Sequence, residues 1–251
     1  MKSNTHVDSF GVASSRYAAC RPVYPDALFG WLAEHCRAHD SAWDVATGNG
    51  QAAHGLVPFF KQVWATDVSA SQISNALPHD SIRYERRSAE ESGFPEASFD
   101  LIAVAQALHW FDFDAFWTEV RRVARPGALF GAWCYDWPAC SEEIETLLLQ
   151  PFRALVHPFW SERNAVGWRG YVDEDIAFPF ERLETPALSI QASWTLRHLI
   201  DYLHTWSAAK LADAKTKAWM AQLVEDILQR IGAKTVIPVR MPLKMVAGYV
   251  T

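Results

Sequence analysis

The sequence predicts an α/β protein with a doubly wound, mostly parallel sheet of seven strands and a helical, aromatic-rich cap inserted late in the chain. Between residues 41 and 135, short apolar runs alternate with segments of helical periodicity, which is the pattern of strands joined by helices. These runs are apolar on both faces, as expected for strands of a parallel sheet covered by helices on two sides. Ligands bind such sheets at the carboxyl ends of the strands.

The expected elements follow in chain order. We expect strands over 42–46, 62–67, 82–86, 99–105 and 128–135, a sixth within 180–194, and a last strand over 236–250. We expect helices over 25–39, 51–60, 69–77, 112–124, 142–151, 196–207 and 213–231. Residues 158–180 are aromatic and irregular, which marks an insertion in the alternating pattern.

Composition excludes several classes of function. The chain has 251 residues, of which 50% are hydrophobic and 21% are charged, as in a soluble globular protein. A net charge of -6 argues against a nucleic-acid partner, which usually requires a basic face. No stretch approaches the roughly 20 apolar residues of a membrane span, and residues 1–10 contain no apolar signal region. We therefore expect a cytoplasmic protein without a membrane partner.

A metal site is not expected either. The four cysteines form no CxxC pair and no zinc-type spacing, so free thiols are the best interpretation. His35 and His39 have the i, i+4 spacing of a metal pair on one helix face. No neighbouring Asp, Glu or Cys completes a site, and cations near a helix C-terminus are favourable without a metal.

A glycine turn over residues 44–51 links the first strand to the following helix. Gly48 and Gly50 allow the backbone to turn tightly beside a ligand. Gly48-x-Gly50-x-x-Ala53 also fits the dinucleotide fingerprint of nicotinamide and flavin enzymes. Asp44 favours another ligand, because a carboxylate at the tip of the strand suits a positive charge.

Further polar residues follow the other strands. Asp67 ends the second strand, seventeen residues after Gly50, where an acid can accept hydrogen bonds from both hydroxyls of a ribose. A helix cap is its alternative role. The segments 88–90 and 106–112 occupy the same edge of the sheet. Tyr17 and Arg21 precede the first helix, either as a flap over a ligand or as a packed arm.

The 44–51 turn, Asp67 and the segments 88–90 and 105–110 together resemble the class I methyltransferases that use S-adenosylmethionine. The arm over 17–25, the segment 107–112 and the segment 202–207 resemble the branch that contains relatives of trans-aconitate methyltransferase. The resemblance implies a Rossmann-like methyltransferase fold and a single domain. Its parts are an arm and helix over 1–40, a cofactor-binding core over 41–135, a cap around strand six over 136–235 and a last strand over 236–251.

The family resemblance assigns roles to individual residues. Segment 44–51 would surround the methionine part of the cofactor, and Asp67 would hold the ribose. Segment 88–89 would meet the adenine edge, and segment 105–106 would lie beside the sulfonium. The cofactor-binding residues that it implies are Tyr17, Arg21, Asp44, Ala46, Gly48, Asn49, Gly50, Gln51, Asp67, Val68, Ser88, Ala89, Glu90, Ala105 and Gln106. The substrate pocket would include Tyr24, Trp110, Trp133 and Tyr135.

This sequence departs from the family pattern at two positions. Ala46 stands where most members have the first glycine, and Ser88 stands where many have an acid. The second departure puts the hydrogen bond to the adenine amino group in doubt.

The resemblance implies methyl transfer to a small-molecule acceptor, and we expect the methylated atom to be oxygen in a carboxylate or hydroxyl group. His109 is the histidine that the segment 107–112 places at the sheet edge. An ordinary imidazole pKa near 6.5 suits a general base that removes the proton of a hydroxyl acceptor. The alternative role of His109 is to orient a loop or bind the substrate. A carboxylate would instead favour an arginine, with Arg21, Arg163 and Arg169 as candidates.

Most of the twelve tryptophans are expected to fill the core, and a few to line an aromatic pocket in the cap. The other functional hypotheses are a cofactor-binding protein with a decayed transferase site and an NAD(P)-dependent oxidoreductase.

Overall fold

A seven-stranded sheet forms the centre of the molecule in the computed structural model, which describes residues 21–251. The strands are β1 (Ser41–Val45), β2 (Gln62–Asp67), β3 (Ile82–Arg86), β4 (Phe99–Ala105), β5 (Ala124–Tyr135), β6 (Ser189–Thr195) and β7 (Val236–Tyr249). Their order is β3-β2-β1-β4-β5-β7-β6. The first five are parallel, and β7 is antiparallel to both of its neighbours. The predicted doubly wound, mostly parallel sheet is confirmed.

Strand β7 joins the cap to the parallel part of the sheet. Its first half, 236–242, pairs with β6, and its second half, 243–249, pairs with β5. One long strand thus bonds to two different partners along its length. Because β6 belongs to the cap region, this pairing fixes the cap against the strand that ends at Tyr135.

Helices cover both faces of the sheet. They are α1 (Asp26–Glu34), α2 (Gln51–Leu56), α3 (Ala70–Ser74), α4 (Phe113–Val123), α5 (Glu142–Ile144), α6 (Gln150–Val156), α7 (Asn164–Trp168), α8 (Asp173–Ile176), α9 (Leu196–His204), α10 (Ser207–Leu211) and α11 (Ala214–Ile231). Ser69, Asp112 and Asp213 cap the N-termini of α3, α4 and α11 with their side chains. Each cap accepts a hydrogen bond from a backbone N–H that the helix leaves unpaired.

Helix α1 ends at Glu34, which is earlier than the sequence predicts. His35 Nδ1 lies 2.8 Å from the carbonyl oxygen of Trp31, and His39 Nε2 lies 2.9 Å from that of Ala33. Both carbonyls also accept a backbone N–H, that of His35 at Trp31 and that of Cys36 at Ala33, so each imidazole adds a second hydrogen bond at the helix end. The two histidines therefore do not share a helix face, and the i, i+4 metal spacing has no structural counterpart.

Several other helix ends also differ from prediction. Helix α2 ends at Leu56, because Pro58 prevents the preceding residues from continuing the helix. The helix that begins at Glu142 passes through Pro151, contrary to expectation. A π-helical turn over Glu145–Leu149 runs directly into α6, and Pro151 follows this wider turn, which accommodates a residue without a backbone N–H.

Two apolar layers pack against opposite faces of the sheet. One contains Leu28 and Leu32 of α1 together with the cap, and the other contains Phe116 and Val120 of α4. The spacing of Trp219, Leu223, Ile227 and Ile231 every four residues predicts the buried face of the long helix α11. Ile227 is buried, and Leu223 and Ile231 pack partly buried against the core, whereas Trp219 is half exposed. The predicted face therefore agrees with the structure except at Trp219.

Residues 21–251 contain no helix that is both long and apolar enough to cross a membrane. Within the same residues, His, Cys, Asp and Glu side chains form no group of three that could hold a metal ion. Cys36, Cys134 and Cys140 are free thiols. Cys20 lies outside the described residues.

Candidate functional site

Two neighbouring cavities lie at the carboxyl ends of the parallel strands. The larger cavity has a volume of about 650 Å³ and is bounded by the segments that follow β1, β2, β3 and β4. This volume is in the range of sites for small molecules and cofactors. Its lining includes Arg21, Tyr24, Ala46, Thr47, Gly48, Asn49, Gln51, Ala52, Asp67, Val68, Ser69, Gln72, Arg87, Ala89, Glu90, Ala105, Gln106, Ala107, Trp110, Phe111, Asp112, Tyr135, Ser161 and Arg163.

The glycine turn after β1 forms one wall of the larger cavity. Ala46, Gly48 and Gly50 have φ angles of 53°, 59° and 90°, so all three adopt the left-handed region. A Cβ atom added at Gly48 would meet no atom within 4 Å, which leaves this part of the backbone open to the cavity. A Cβ atom at Gly50 would lie 2.2 Å from the Tyr84 hydroxyl oxygen. Gly50 therefore faces the protein, and Gly48 faces the ligand space.

Asp67, at the end of β2, stands beside this turn. Its Oδ2 accepts a hydrogen bond from the Gly48 backbone N–H at 2.9 Å, and its Oδ1 accepts one from the Ser69 N–H at 2.8 Å. Burial raises the pKa of Asp67 above its usual value, and these two backbone hydrogen bonds oppose the shift. Each carboxylate oxygen can accept a further bond, and the side chain lines the larger cavity.

Gln106 marks the boundary between the two cavities. It follows β4 directly, its φ angle is 60°, and its backbone N–H donates to the Trp133 carbonyl oxygen at 2.9 Å. A left-handed conformation is strained for a residue with a side chain, and such strain is concentrated at functional sites. Four residues line both cavities, namely Arg21, Gln106, Trp110 and Tyr135.

The smaller cavity has a volume of about 140 Å³ and mostly aromatic walls. Trp137 lies 5.0 Å from Trp168 and 5.1 Å from Trp206 between ring centroids, and Trp160 lies 5.3 Å from Trp168. The remaining residues that line it are Arg21, Gln106, His109, Trp110, Tyr135, Asp136, Pro138, Asn164, Tyr202 and Ser207. Nine of the fourteen residues that line the smaller cavity come from the cap, so the cap and the sheet edge enclose this cavity together.

His109 belongs to the wall of the smaller cavity and is almost fully buried. Its Nδ1 lies 3.1 Å from the hydroxyl oxygen of Tyr171. Burial, with a smaller contribution from Arg163, lowers the pKa of His109 to about 4. The expected ordinary pKa near 6.5 is therefore corrected, and the imidazole is neutral at pH 7.

Comparison with known proteins identifies the family. Residues 43–131 match the model of a methyltransferase domain. A protein of Saccharomyces cerevisiae described as an S-adenosylmethionine-dependent methyltransferase is 28% identical over 53% of this chain and 49% of its own length. A methyltransferase of Dictyostelium discoideum is 30% identical over 95% of this chain and 94% of its own length. The chain belongs to the S-adenosylmethionine-dependent methyltransferases.

A solved structure supports the same family. A type II methyltransferase from Anaeromyxobacter dehalogenans superposes on this methyltransferase with a TM-score of 0.82 and 39% sequence identity. The match covers 92% of this chain and 98% of the other. The alternatives of an NAD(P)-dependent oxidoreductase and of a decayed site are therefore set aside. The resemblance to the class I S-adenosylmethionine-dependent methyltransferases is confirmed, and the cofactor is S-adenosylmethionine. The resemblance to the trans-aconitate methyltransferase branch stays a prediction.

The described residues fit such a cofactor. The larger cavity has the size for it, the backbone at Gly48 is open to the cavity, and the Asp67 carboxylate can accept hydrogen bonds at one edge. Ala46 holds a left-handed conformation at the position where the family resemblance leads us to expect glycine, so the turn keeps its shape despite the methyl group.

The structure places most of the cofactor residues implied by the resemblance along the larger cavity, with three exceptions. Asp44 lies beneath the turn, fully buried, where its carboxylate accepts a hydrogen bond from the Thr47 hydroxyl. It does not face the ligand space as expected. Gly50 packs against Tyr84, as described above. Ser88 is absent from the lining and donates from Oγ to Glu90 Oε2 at 2.5 Å, whereas Ala89 and Glu90 line the cavity.

Among the residues expected near the substrate, Trp133 is the exception. It has no exposed surface and packs edge-on against Tyr24 and Phe29, at 5.7 and 6.1 Å between ring centroids. Its side chain points into the layer below the sheet edge, so it supports the cavity wall from behind. Tyr24, Trp110 and Tyr135 line a cavity. Tyr17 lies outside the described residues.

The three arginine candidates have different positions. Arg21 lines both cavities and donates a hydrogen bond to the Tyr135 hydroxyl. Arg163 lines the larger cavity, and its Nη1 donates to the Trp110 carbonyl oxygen at 2.5 Å. Arg169 lies outside both cavities and forms an ion pair with Asp175 at 2.6 Å. Arg169 is therefore removed from the candidates for acceptor binding.

Sequence reasoning missed Asp136 and Asn164, which line the smaller cavity, and Tyr171, which lies behind His109. No local motif marks Asn164 or Tyr171, because they lie in the irregular insertion. Asp136 could have been found, since it directly follows the strand that ends at Tyr135. Residues after strand ends of a parallel sheet are candidates for its ligand site.

Proposed function

We propose that this methyltransferase transfers a methyl group to an oxygen atom of a small molecule, bound in the smaller cavity. The observation that carries this proposal is the shared wall between the cavities, formed by Arg21, Gln106, Trp110 and Tyr135. A cofactor in the larger cavity and an acceptor in the smaller one would meet at this wall. The volume of about 140 Å³ favours a small acceptor over a polymer.

The larger cavity would hold the cofactor in the way that the family resemblance implies. Asp67 would accept hydrogen bonds from the ribose hydroxyls, and Gly48 would let the backbone approach the methionine part. Ala89 and Glu90 would contact the adenine, and Gln106 would lie beside the sulfonium. When bound, S-adenosylmethionine supplies an electrophilic methyl group on a positively charged sulfur.

The smaller cavity would bind and orient the acceptor. Its tryptophans offer flat apolar surfaces, and Arg21 and Asn164 offer hydrogen-bond donors. A guanidinium suits a carboxylate, because its planar donors match the two oxygens. Methyl transfer needs the acceptor atom held in line at about 3 Å, so positioning supplies most of the acceleration. The proposed acceptors are therefore small carboxylic acids and phenols, in keeping with the resemblance to the trans-aconitate branch.

A product screen tests this function. The full chain would be incubated with methyl-labelled S-adenosylmethionine and a panel of small carboxylic acids, phenols, amines and thiols. We expect labelled methyl esters or ethers together with S-adenosylhomocysteine, detected by mass spectrometry. Trp219→Ala, altered at a half-exposed residue on α11, is the control that should retain activity. Methylation of amines or thiols alone would contradict the proposal.

A further inference from the structure

His109, Tyr171 and Cys134 form a hydrogen-bonded cluster behind the smaller cavity. The Tyr171 hydroxyl oxygen lies 3.1 Å from His109 Nδ1, and the Cys134 Sγ lies 3.0 Å from the Gly167 carbonyl oxygen. The Leu108 backbone and the Cys134 thiol lie close enough to influence the pKa of the Tyr171 hydroxyl. Tyr171 is fully buried, so its hydroxyl proton must go to one of these protein groups.

The protons of the cluster can be assigned by counting donors and acceptors. The Gly167 carbonyl only accepts, so the Cys134 thiol gives its single proton there. The Leu108 N–H only donates, so it cannot receive the Tyr171 proton. That proton can go to Cys134 Sγ or to His109 Nδ1. An imidazole nitrogen is a strong hydrogen-bond acceptor and a thiol sulfur is a weak one. His109 Nδ1 therefore accepts the hydrogen bond that the Tyr171 hydroxyl donates.

The orientation of the ring decides where the remaining nitrogen points. The Nδ1 edge of His109 faces Tyr171 and Gly167, since a Cβ atom at Gly167 would lie 3.4 Å from Nδ1. His109 lines the smaller cavity, and we infer that its other ring nitrogen, Nε2, faces that cavity. A neutral imidazole that accepts at Nδ1 carries its proton on Nε2.

We propose that Tyr171 is a positioning residue that fixes His109 as the neutral Nε2–H tautomer, so that His109 donates a hydrogen bond to the acceptor. This inference rests on the proposed function of the smaller cavity and refines it. His109 then cannot remove a proton from the substrate, because its Nε2 already carries one. The acceptor oxygen must arrive with a free lone pair and no proton to lose, as a carboxylate does.

The charge of a neighbouring residue helps to keep His109 neutral. The positive charge of Arg163 disfavours protonation of the His109 imidazole. Burial raises the pKa of Tyr171 well above its usual value and that of Cys134 to about 12, so both remain protonated. Neither neighbour therefore changes its charge between pH 5 and 8.

Nuclear magnetic resonance of the histidine nitrogens tests the tautomer directly. The full chain would be labelled with ¹⁵N-histidine and saturated with S-adenosylhomocysteine, and His109→Gln would assign the His109 signals by their loss. We expect a protonated Nε2 and an unprotonated Nδ1 at pH 7, without titration down to pH 5. Tyr171→Phe should populate the other tautomer. A proton on Nδ1 in the unaltered chain would overturn the proposal.

Control variants separate this effect from loss of folding. Tyr249→Phe removes a hydroxyl from β7, away from His109, and should leave the His109 signals unchanged. Thermal unfolding would show that Tyr171→Phe is folded under the conditions of the spectra. The spectra need no acceptor, so they decide the tautomer even if the product screen fails. A failed screen would count against the proposed function alone.

Kinetics with an acceptor from the screen test the role of His109. His109→Gln places an amide N–H near the position of Nε2 but cannot act as a base, and we expect kcat/KM within about tenfold of the unaltered chain. His109→Leu removes the donor and should lose roughly 10- to 100-fold. Equal losses of about 100-fold or more in both variants, with a changed pH profile, would identify a base and overturn the proposal.

Discussion

Two carboxylates lie on either side of the glycine turn, and their surroundings differ. Asp67 accepts two backbone hydrogen bonds and borders the larger cavity, whereas Asp44 is fully enclosed beneath the turn. Both have raised pKa values because burial disfavours the charged form. Only Asp67 is placed to contact a ligand, so the two residues should respond differently to substitution.

Replacing Asp67 should weaken cofactor binding. Asp67→Ala removes the charged acceptor that we place at the ribose, and we expect S-adenosylhomocysteine to bind on the order of tenfold to a hundredfold more weakly. Titration calorimetry would measure the change. Asp80→Ala, altered at an exposed acid on the loop before β3, should bind as the unaltered chain does. Unchanged affinity in Asp67→Ala would remove Asp67 from the cofactor site.

Asp44 should make the stability of the protein without cofactor depend on pH. Burial raises its pKa to about 7 in the folded state, against a usual value of 3.8. The folded state then holds a proton that the unfolded state has lost, so stability falls as pH rises from about 4 through about 7. The Thr47 hydroxyl can still donate to the oxygen of an Asn at this position.

Asp44→Asn should remove this pH dependence. Relative to the unaltered chain, we expect the variant to gain about 2–3 kcal/mol of unfolding free energy between pH 5 and pH 8. Urea unfolding at both pH values would measure it. Asp80→Asn should show no such gain, because Asp80 is exposed. A stability difference that stays constant with pH would show that Asp44 is already charged at pH 5.

At the scale of one element, the two glycines of the turn after β1 have different roles: Gly50 packs against the protein, and Gly48 borders the larger cavity. Gly50→Ala would press a methyl group against Tyr84 in a left-handed conformation, and we expect a loss of about 1–3 kcal/mol in unfolding free energy. Gly48→Ala has open space around its Cβ and should lose less stability but more affinity for S-adenosylhomocysteine. Thermal unfolding and calorimetry on both variants would distinguish these effects. The reverse ranking would contradict the assignment.

The element boundaries show where sequence patterns suffice. Strands β2, β3 and β4 lie over the predicted residues. The apolar run is nearly continuous only in β4, whereas β3, at the end of the sheet order, carries Arg83, Glu85 and Arg86. Helix ends are less well predicted, because nearby side chains also bond to the last carbonyl groups. At α1, the rings of His35 and His39 bond to the Trp31 and Ala33 carbonyls, which also accept backbone N–H groups. Pro151 is expected to end a helix, but the π-helical turn before it lets the helix continue.

At the scale of the whole molecule, the cap should select the acceptor and the sheet edge should bind the cofactor. Trp160 and Trp168 line only the smaller cavity. Trp168→Ala should therefore raise the acceptor KM by about 3- to 10-fold, while the affinity for S-adenosylhomocysteine changes by less than about twofold. Trp219→Ala, at the half-exposed position on α11, is the matched control. Equal effects on acceptor and cofactor would exclude the cap as the source of selectivity.

The sequence by itself determined the fold class, the family and the set of residues at the strand ends, because the period of apolar residues and the glycine turn are local signals. It could not show that Asp44 and Trp133 turn inward, since only the packing of neighbouring elements decides which side of a strand end faces a cavity. Nor could it pair His109 with Tyr171, which lies 62 positions later in the irregular insertion. Such contacts depend on how the cap folds over the sheet, and tertiary structure alone decides them.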